Sequence, residues 1–427
     1  MTDQDKRLEE ERIEAERQAL DQEVPPTPGG ADYAPSVAAR LELLQRAGGA
    51  VIPVVTTIFA FLMAMLVIAA TGHNPFTAFK GIFNGTGLNW FFPWVLGQDR
   101  ANAAFNLQQT LIVTASLILA GLGVSFAFKC GLFNIGANGQ YIAGSLVAVW
   151  VGSSWASMAG GLHIFLAIVL AALVGAFWAG IAGFLKATVG AHEVITTMML
   201  NFVASYIAQA LVGRGGQLQN TVDQSNPVSS DIVQNAHLPV FWGDPVLQGL
   251  HVGFFVALAM PVVFWLILNR TTLGYEVRAT GFNPEAAHYG GVNVKRSYIM
   301  AMAISGFFAG LAGAIDILGW QFRLGVLDIQ IVQVGFIGIA VALLGRNSAV
   351  GIVLAGLLFG ALTQGTSTRN PAIADIIDPR LTGNLSIIIQ GLVLLFVGAD
   401  LLFLWLWQLR KKLRRAPTAA PQPGAAS

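Results

Sequence analysis

Residues 270–294 read RTTLGYEVRATGFNPEAAHYGGVNV and form a polar stretch in an otherwise apolar part of the chain. Within this stretch, Asn283 is placed to cap a short helix, because its side-chain oxygen can accept a hydrogen bond from a free backbone N–H. Pro284 suits the first helical position, and Glu285 complements the positive end of the helix dipole. The pair Gly290–Gly291 allows the left-handed turn that ends a helix. The sequence therefore predicts a short, capped helix, which favours docking by another protein over a self-packed connector.

Apolar runs long enough to cross a bilayer flank this stretch at 250–268 and 297–318. The 427 residues are 55% hydrophobic and only 11% charged, whereas soluble domains carry about 25% charged residues. We therefore predict an all-α, polytopic membrane protein of about ten transmembrane helices. The predicted spans are 50–71, 107–128, 133–152, 163–187, 193–213, 250–269, 297–319, 331–345, 349–366 and 384–408.

The third, eighth and ninth predicted spans are short or interrupted by glycine. Membrane proteins break helices in this way where the backbone lines a cavity, so we expect broken or re-entrant helices there. An internal repeat is also indicated, because residues 110–128 resemble 297–313 and residues 171–188 resemble 351–367. Biased composition is the alternative explanation of that likeness.

The chain divides into three parts: a charged N-terminal extension and linker (1–48), a membrane domain (49–408) and a basic, Pro/Ala-rich tail (409–427). Lys and Arg residues at the ends of the predicted spans are about twice as frequent on one side as on the other. The positive-inside rule places that side, with both termini and residues 270–296, in the cytoplasm.

Motifs for chemistry are missing from the sequence. It contains no G-x-x-x-x-G-K-[ST] for nucleotide hydrolysis and no H-E-x-x-H, and its six histidines have no metal-ligand spacing. The single cysteine, Cys130, excludes a disulfide framework, and a net charge of +1 gives no reason to expect a nucleic-acid partner. We therefore predict no catalytic residues, no metal site and no cofactor bound by this chain.

Two polar patterns interrupt the apolar spans. Residues 131–140 (GLFNIGANGQ) carry three amides, which are costly in hydrocarbon unless they form hydrogen bonds. They indicate either a broken helix facing a solute pathway or hydrogen bonding between close-packed helices. In the fifth span, polar residues recur every fourth position from Glu193 to Gln209, which places them on one helix face. The candidate pathway residues are Asn134, Asn138, Gln140, Glu193, Thr197, Asn201, Ser205 and Gln364.

Five segments together resemble a known family: GLFNIGANGQYIAG (131–144), AHEVITTMMLNFVA (191–204), the loop 270–291, ISGFFAGLAGA (304–314) and GIAVALLGRN (338–347). They resemble the permease subunits of bacterial ABC importers of the branched-chain amino-acid/monosaccharide type, and most of all the nucleoside and simple-sugar permeases. The resemblance covers residues 50–408, so neither the N-terminal extension nor the tail belongs to it.

The resemblance implies a multi-pass protein of the bacterial cytoplasmic (inner) membrane that moves a nucleoside or simple sugar by alternating access. Its implied partners are cytoplasmic ABC ATPase subunits, which hold the ATP and Mg²⁺, a second related permease subunit and an extracytoplasmic substrate-binding lipoprotein. The short helix would then be the coupling helix that the ATPase grips. The implied ATPase-coupling residues are Arg278, Asn283, Glu285, Ala286, Ala287, Tyr289 and Gly291.

Two rival functions stay open on the sequence. An ion-coupled secondary transporter or channel for a small polar solute would need carboxylates within the membrane, for which Asp316 is the main candidate and Glu193 a lesser one. A membrane scaffold without cargo is the other rival, and the polar face of the fifth span counts against it.

Overall fold

The computed structural model describes residues 51–70, 72–222 and 224–367, together with Ile387, Ile388, Gly391, Leu392 and Leu395. The N-terminal extension, the basic tail and, except for those five residues, the tenth predicted span lie outside the described residues.

The described chain is mostly helical. Its α-helices are α1 (Val51–Ala70), α2 (Pro75–Thr86), α3 (Gly97–Lys129), α4 (Ala137–Ser153), α5 (Gly160–Val189), α6 (Glu193–Val212), α7 (Gly253–Arg270), α8 (Thr272–Phe282), α9 (Pro284–Tyr289), α10 (Val294–Asp316), α11 (Val326–Ile331), α12 (Val334–Leu344) and α13 (Ala349–Gly365). Shorter elements are 3₁₀ turns at Leu88–Phe91, Gln234–Ala236 and Pro245–Leu247, a π-helical turn at Ile317–Gln321, and an antiparallel hairpin of β1 (Val240–Trp242) and β2 (Leu250–His251).

Six segments of the described chain are long and apolar enough to cross a membrane: Gly97–Lys129, Gly160–Val189, Glu193–Val212, Gly253–Arg270, Val294–Gln321 and Val326–Leu344. Shorter apolar helices lie at Thr57–Ala70 and Ala349–Gly365. The all-α polytopic architecture is confirmed, whereas a count of ten spans is not. The third predicted span became α4, a helix of 17 residues, which is short for a crossing of about 20 residues.

Helix α10 forms the centre of the bundle, and its closest neighbour is α5. The two helices touch backbone to backbone at glycines. A Cβ on Gly310 would lie 2.6 Å from the carbonyl oxygen of Ala171, and one on Gly306 would lie 2.1 Å from that of Gly175. Small residues permit this approach, which provides the packing that holds helices together in lipid.

The packing agrees with the predicted internal repeat. The similar segments 110–128 and 297–313 lie in α3 and α10, which pack against each other at the centre. The second similar pair, 171–188 and 351–367, falls in α5 and at α13. Helix α5 of the first repeat packs mainly on α10 of the second, and α13 of the second packs mainly on α3 of the first. Two copies of one unit that pack on each other would produce this reciprocal arrangement.

The bundle has two distinct ends. At one, which we call the loop end, α8 lies against the end of α3, where a Cβ on Gly281 would come 2.3 Å from the carbonyl oxygen of Lys129. At the other, the hairpin end, residues 213–222 and 224–252 cover the helix termini, and the N–H of Leu238 donates to the carbonyl of Leu318 at 2.8 Å. His251 of the hairpin is buried without a hydrogen-bond partner among the described residues, and burial lowers its pKa to about 4.

Candidate functional site

The short helix predicted in the polar stretch is present as α9. The Asn283 side-chain oxygen accepts hydrogen bonds from the N–H groups of Glu285 at 3.0 Å and Ala286 at 3.1 Å, and Pro284 occupies the first turn. At the other end, the left-handed residue is Gly291, with φ +84°, while Gly290 keeps a negative φ. Because both ends are satisfied, a helix of 6 residues can hold its shape at the surface.

The outer face of α9 is open. Tyr289 is 92% exposed, and Glu285 and Ala286 are exposed too. Ala287 is only 6% exposed and packs towards its own chain, so of the two alanines only Ala286 is free to touch a partner. Arg278 is half-buried on α8, where its Nε donates to the carbonyl of Gly274 at 3.3 Å.

Sequence reasoning missed α8, which precedes α9 and makes the polar stretch a pair of helices. Thr271 caps α8, because its Oγ1 accepts the N–H of Gly274 at 3.1 Å. The inner face of α8 includes Gly274, Val277 and Thr280, spaced at i, i+3 and i+6. Thr271, a capping residue three positions before Gly274, together with that helical spacing, was the signal that could have revealed the helix.

A cleft of about 880 Å³ lies beside α9, between it, the start of α10 and the end of α5. Its lining includes the acidic and basic residues Lys186, Glu285, His288 and Lys295. Lys186 also forms an ion pair with Glu193, with Nζ 2.8 Å from the carboxylate. Glu193 therefore lies at the loop end, next to the cleft residue Lys186, rather than in mid-bundle.

The amides of residues 131–140 bond to one another and to neighbouring helices. The Asn134 side-chain nitrogen donates to Gln140 at 3.0 Å and to the Ser305 hydroxyl at 2.7 Å. Its oxygen accepts from Gln140 at 3.0 Å and from the N–H of Gly136 at 2.9 Å. These bonds stabilise the irregular chain that joins α3 to α4 and fasten it to α10.

The cluster extends to α6 and α12. Asn201 accepts the N–H of Gly139 at 2.7 Å and donates to the carbonyl of Ile135 at 2.9 Å. Asn138 accepts the N–H of Gly335 at 3.3 Å, so the starts of α4 and α12 meet there. We call Asn134, Asn138, Gln140 and Asn201 the amide cluster.

The remaining predicted pathway residues lie around this cluster without joining it. Thr197 is buried next to Gly136 and donates to the backbone of its own helix at Glu193, 2.7 Å away. Ser205 and Gln364 are half-buried, on α6 and α13 respectively. The polar face of α6 thus points into the protein as far as Asn201, and the contact of these residues with a solute stays a prediction.

A second polar site surrounds Asp316, at the end of α10. The carboxylate is 3% exposed and accepts hydrogen bonds from the Tyr141 hydroxyl at 2.7 Å, the Trp320 indole at 3.0 Å and the Ser116 hydroxyl. It forms part of the wall of a cavity of about 590 Å³. From the sequence, Asp316 was an isolated polar residue and the main carboxylate candidate for ion coupling, and its partners on α3 and α4 could not be predicted because they are 200 and 175 residues away along the chain.

Helix breaks occur beside this cavity. The eighth predicted span is interrupted between α11 and α12, and Val332 and Gln333 at the interruption line the cavity. The π-helical turn that follows Asp316 contributes Trp320 and Gln321. The expected interruption of the eighth span is therefore confirmed. The third and ninth spans hold the continuous helices α4 and α13, and the irregular residues 133–136 of the third span precede α4.

Long apolar helices, backbone interruptions beside a cavity and a buried polar cluster in the wall of that cavity define a multi-pass membrane protein of the permease class. Residues 106–398 match the family described as branched-chain amino acid transport system / permease component. The chain belongs to this family.

Several described relatives are similar to most of the chain. The chain is 33% identical to the guanosine ABC transporter permease protein NupP of Bacillus subtilis over 360 residues, and these residues make up 84% of this chain and 95% of that protein. The nucleoside ABC transporter permease protein NupB of Lactococcus lactis is 33% identical over 74% of this chain and 83% of its own length. The glucose ABC transporter permease protein TsgB13 of Haloferax volcanii is 34% identical over 81% and 86%. No solved structure matches the chain.

Proposed function

We propose that this chain is the membrane-spanning subunit of an ATP-driven importer that moves a nucleoside or a simple sugar by alternating access. The observation that carries this proposal is the near full-length similarity to permeases described for guanosine, nucleosides and glucose. ATP and Mg²⁺ would be held by separate ATPase subunits, and a second permease subunit and a substrate-binding lipoprotein would complete the complex.

Helix α9 is the proposed coupling helix. Its capped ends, its exposed face at Ala286 and Tyr289 and the cleft beside it suit a surface on which another protein seats. The buried Ala287 and Val292 attach it to its own chain, so a push on α9 would reach α10. Helix α10 runs from Val294 beside the cleft to Asp316 at the cavity and is the proposed lever. The loop end would then face the cytoplasm, together with both termini.

The amide cluster is the proposed gate between the loop end and the cavity. Val334 lines the cavity, and the next residue, Gly335, donates its N–H to Asn138 of the cluster. The start of α12 approaches so closely that a Cβ on Gly335 would lie 2.1 Å from the backbone nitrogen of Asn138. Separation of α4 from α12 would open this point, and the amides could then exchange their hydrogen bonds for those of a passing solute.

The coupling assignment is tested with Ala286→Arg. A long cation on the exposed face should block the ATPase seat, so ATP-dependent uptake of guanosine and glucose into proteoliposomes should fall to the level without ATP. Co-purification with the ATPase should be lost, while the melting temperature of the permease should not change because Ala286 is exposed. The control is Val222→Arg, which adds the same side chain at a position that is 95% exposed at the hairpin end.

Normal ATPase binding by Ala286→Arg would contradict the coupling role of α9. A wild-type complex whose uptake resists ATP depletion, and is abolished by Asp316→Asn, would instead support the ion-coupled transporter.

A further inference from the structure

No Lys or Arg among the described residues lies beside the Asp316 carboxyl group. Within the described ranges the one ion pair joins Lys186 to Glu193, at the loop end. The neutral donors of Ser116, Tyr141 and Trp320 are what hold the Asp316 carboxylate, and they come from three different elements. Ionisable side chains inside a membrane bundle are costly and usually mark a pathway for ions or solutes.

The Asp316 carboxylate can accept a further hydrogen bond. Each of its oxygens can accept two hydrogen bonds. Among the described residues, Oδ1 accepts from Ser116 and Trp320, whereas Oδ2 accepts from Tyr141 alone. The Tyr141 hydroxyl in turn accepts from the Gln321 amide at 3.3 Å, which orients it towards Asp316. A solute hydroxyl or N–H group could therefore occupy the position left on Oδ2.

The lining of the cavity matches an uncharged solute. Its polar members include Asp316, Gln321, Asp328, Gln333 and Thr363, and no Lys or Arg is among the described residues that line it. The apolar remainder and the Trp320 ring offer surface to a flat or ring-shaped molecule. At about 590 Å³ the cavity has the size of a typical small-molecule site.

The backbone around the cavity is irregular in the way that functional sites often are. The π-helical turn Ile317–Gln321 is followed by Phe322 in the left-handed region, with φ +59°. Elsewhere in the cavity lining, the chain leaves helical structure between Ile331 and Val334. Irregular backbone persists at membrane depth where it lines a cavity, and π turns concentrate at functional sites.

We propose that this cavity is a solute-binding site within the permease, selective for uncharged molecules rich in hydroxyl or N–H donors, with Asp316 as the principal acceptor. This inference rests on the proposed function, since it presumes that a solute passes through the chain. It adds a selectivity, because a solute carrying a carboxylate or phosphate meets Asp316 and Asp328 with no cation in the described lining. An amino acid should therefore bind far more weakly than a nucleoside or a sugar.

The test uses cysteine labelling in the intact complex, with Cys130→Ala as background. Gln333→Cys places a thiol in the cavity wall, and its reaction with a maleimide is followed with guanosine, glucose, leucine or guanosine monophosphate present. Guanosine or glucose at about ten times its Kd should slow labelling about ten-fold, because only the unoccupied fraction reacts. Leucine and guanosine monophosphate should have no effect. Val222→Cys, exposed at the hairpin end, should react equally fast under all conditions.

The role of Asp316 is tested in the same assay. Asp316→Asn should raise the concentration of neutral solute needed for protection at least ten-fold. Asp244→Asn is the control, because that carboxylate accepts the N–H of Val246 at 2.9 Å and lies outside the cavity. If Asp316→Asn yields too little folded complex, Gln321→Leu removes one amide from the lining and should weaken protection in the same direction.

Labelling that neither guanosine nor glucose slows, or that leucine slows equally, would overturn the binding site. Uptake by the wild-type complex is measured in parallel to separate the two proposals. Protection without ATP-driven uptake would retain the site and refute the importer, and uptake without protection would do the reverse.

Discussion

Two asparagines show how differently the same side chain is used in this protein. Asn283 lies at the surface and caps α9 by accepting the N–H groups of residues two and three positions further along the chain. Asn201 lies in the bundle and bonds to Gly139 and Ile135, which are 62 and 66 residues away. Both satisfy backbone groups that have no partner in a regular helix. The bonds of Asn283 make a local structure on which a partner can dock, whereas those of Asn201 form only after α6 has packed against α4 and the irregular chain before it.

The comparison implies that the buried polar sites depend on the helix packing around them, while α9 depends mainly on its own sequence. A substitution at a helix crossing should therefore disrupt the buried polar sites most. A substitution of the capping residue should disrupt α9 alone.

The largest expected effect is that of Gly310→Leu at the crossing of α5 and α10. A Cβ there would already lie 2.6 Å from the Ala171 carbonyl and 3.0 Å from the Gly175 Cα, so the helices would have to separate. Overpacking of a core commonly costs about 1–3 kcal/mol, and here the contacts are with backbone. We expect no monodisperse protein by size-exclusion chromatography. Gly180→Leu on α5 is the control, since a Cβ there meets nothing within 4 Å; equal behaviour of the two variants would contradict the crossing.

A smaller effect is expected for Asn201→Leu, which tests the buried member of the comparison. It leaves the N–H of Gly139 and the carbonyl of Ile135 without partners in the bundle interior. Unsatisfied buried groups cost about 1–3 kcal/mol each, so the melting temperature in detergent should fall clearly. Phe202→Leu, one residue further on the exposed face of α6, should melt like wild type. Similar melting of both variants would mean that the amide cluster does not stabilise the bundle.

What the sequence could predict follows the same division. The membrane-spanning helices and α9 were predictable, because hydrophobic runs and the Asn-Pro-Glu to Gly-Gly pattern are local signals. The amides of 131–140 were recognisable as costly, but their partners were not, since Asn134 meets Ser305 across 171 residues. The hydrogen-bond partners of Asp316 could not be predicted for the same reason, because Tyr141 lies 175 residues away along the chain. Helix α8 was missed although its cap is local, because the polar stretch was interpreted only around Asn283.

The smallest expected effect is that of Asn283→Ala, which tests the exposed member of the comparison. Loss of an N-cap costs a helix about 1 kcal/mol, which lowers the equilibrium constant between ordered and disordered helix about five-fold. ATP-driven uptake should fall by at most that factor, while the melting temperature stays at the wild-type value, because Asn283 is exposed and supports α9 alone. Asn283→Asp should restore uptake, since a carboxylate caps a helix as well as an amide does. A melting temperature lowered as much as by Asn201→Leu, or no rescue by aspartate, would show that Asn283 acts through something other than the cap, and the contrast between a local and a long-range asparagine would no longer hold.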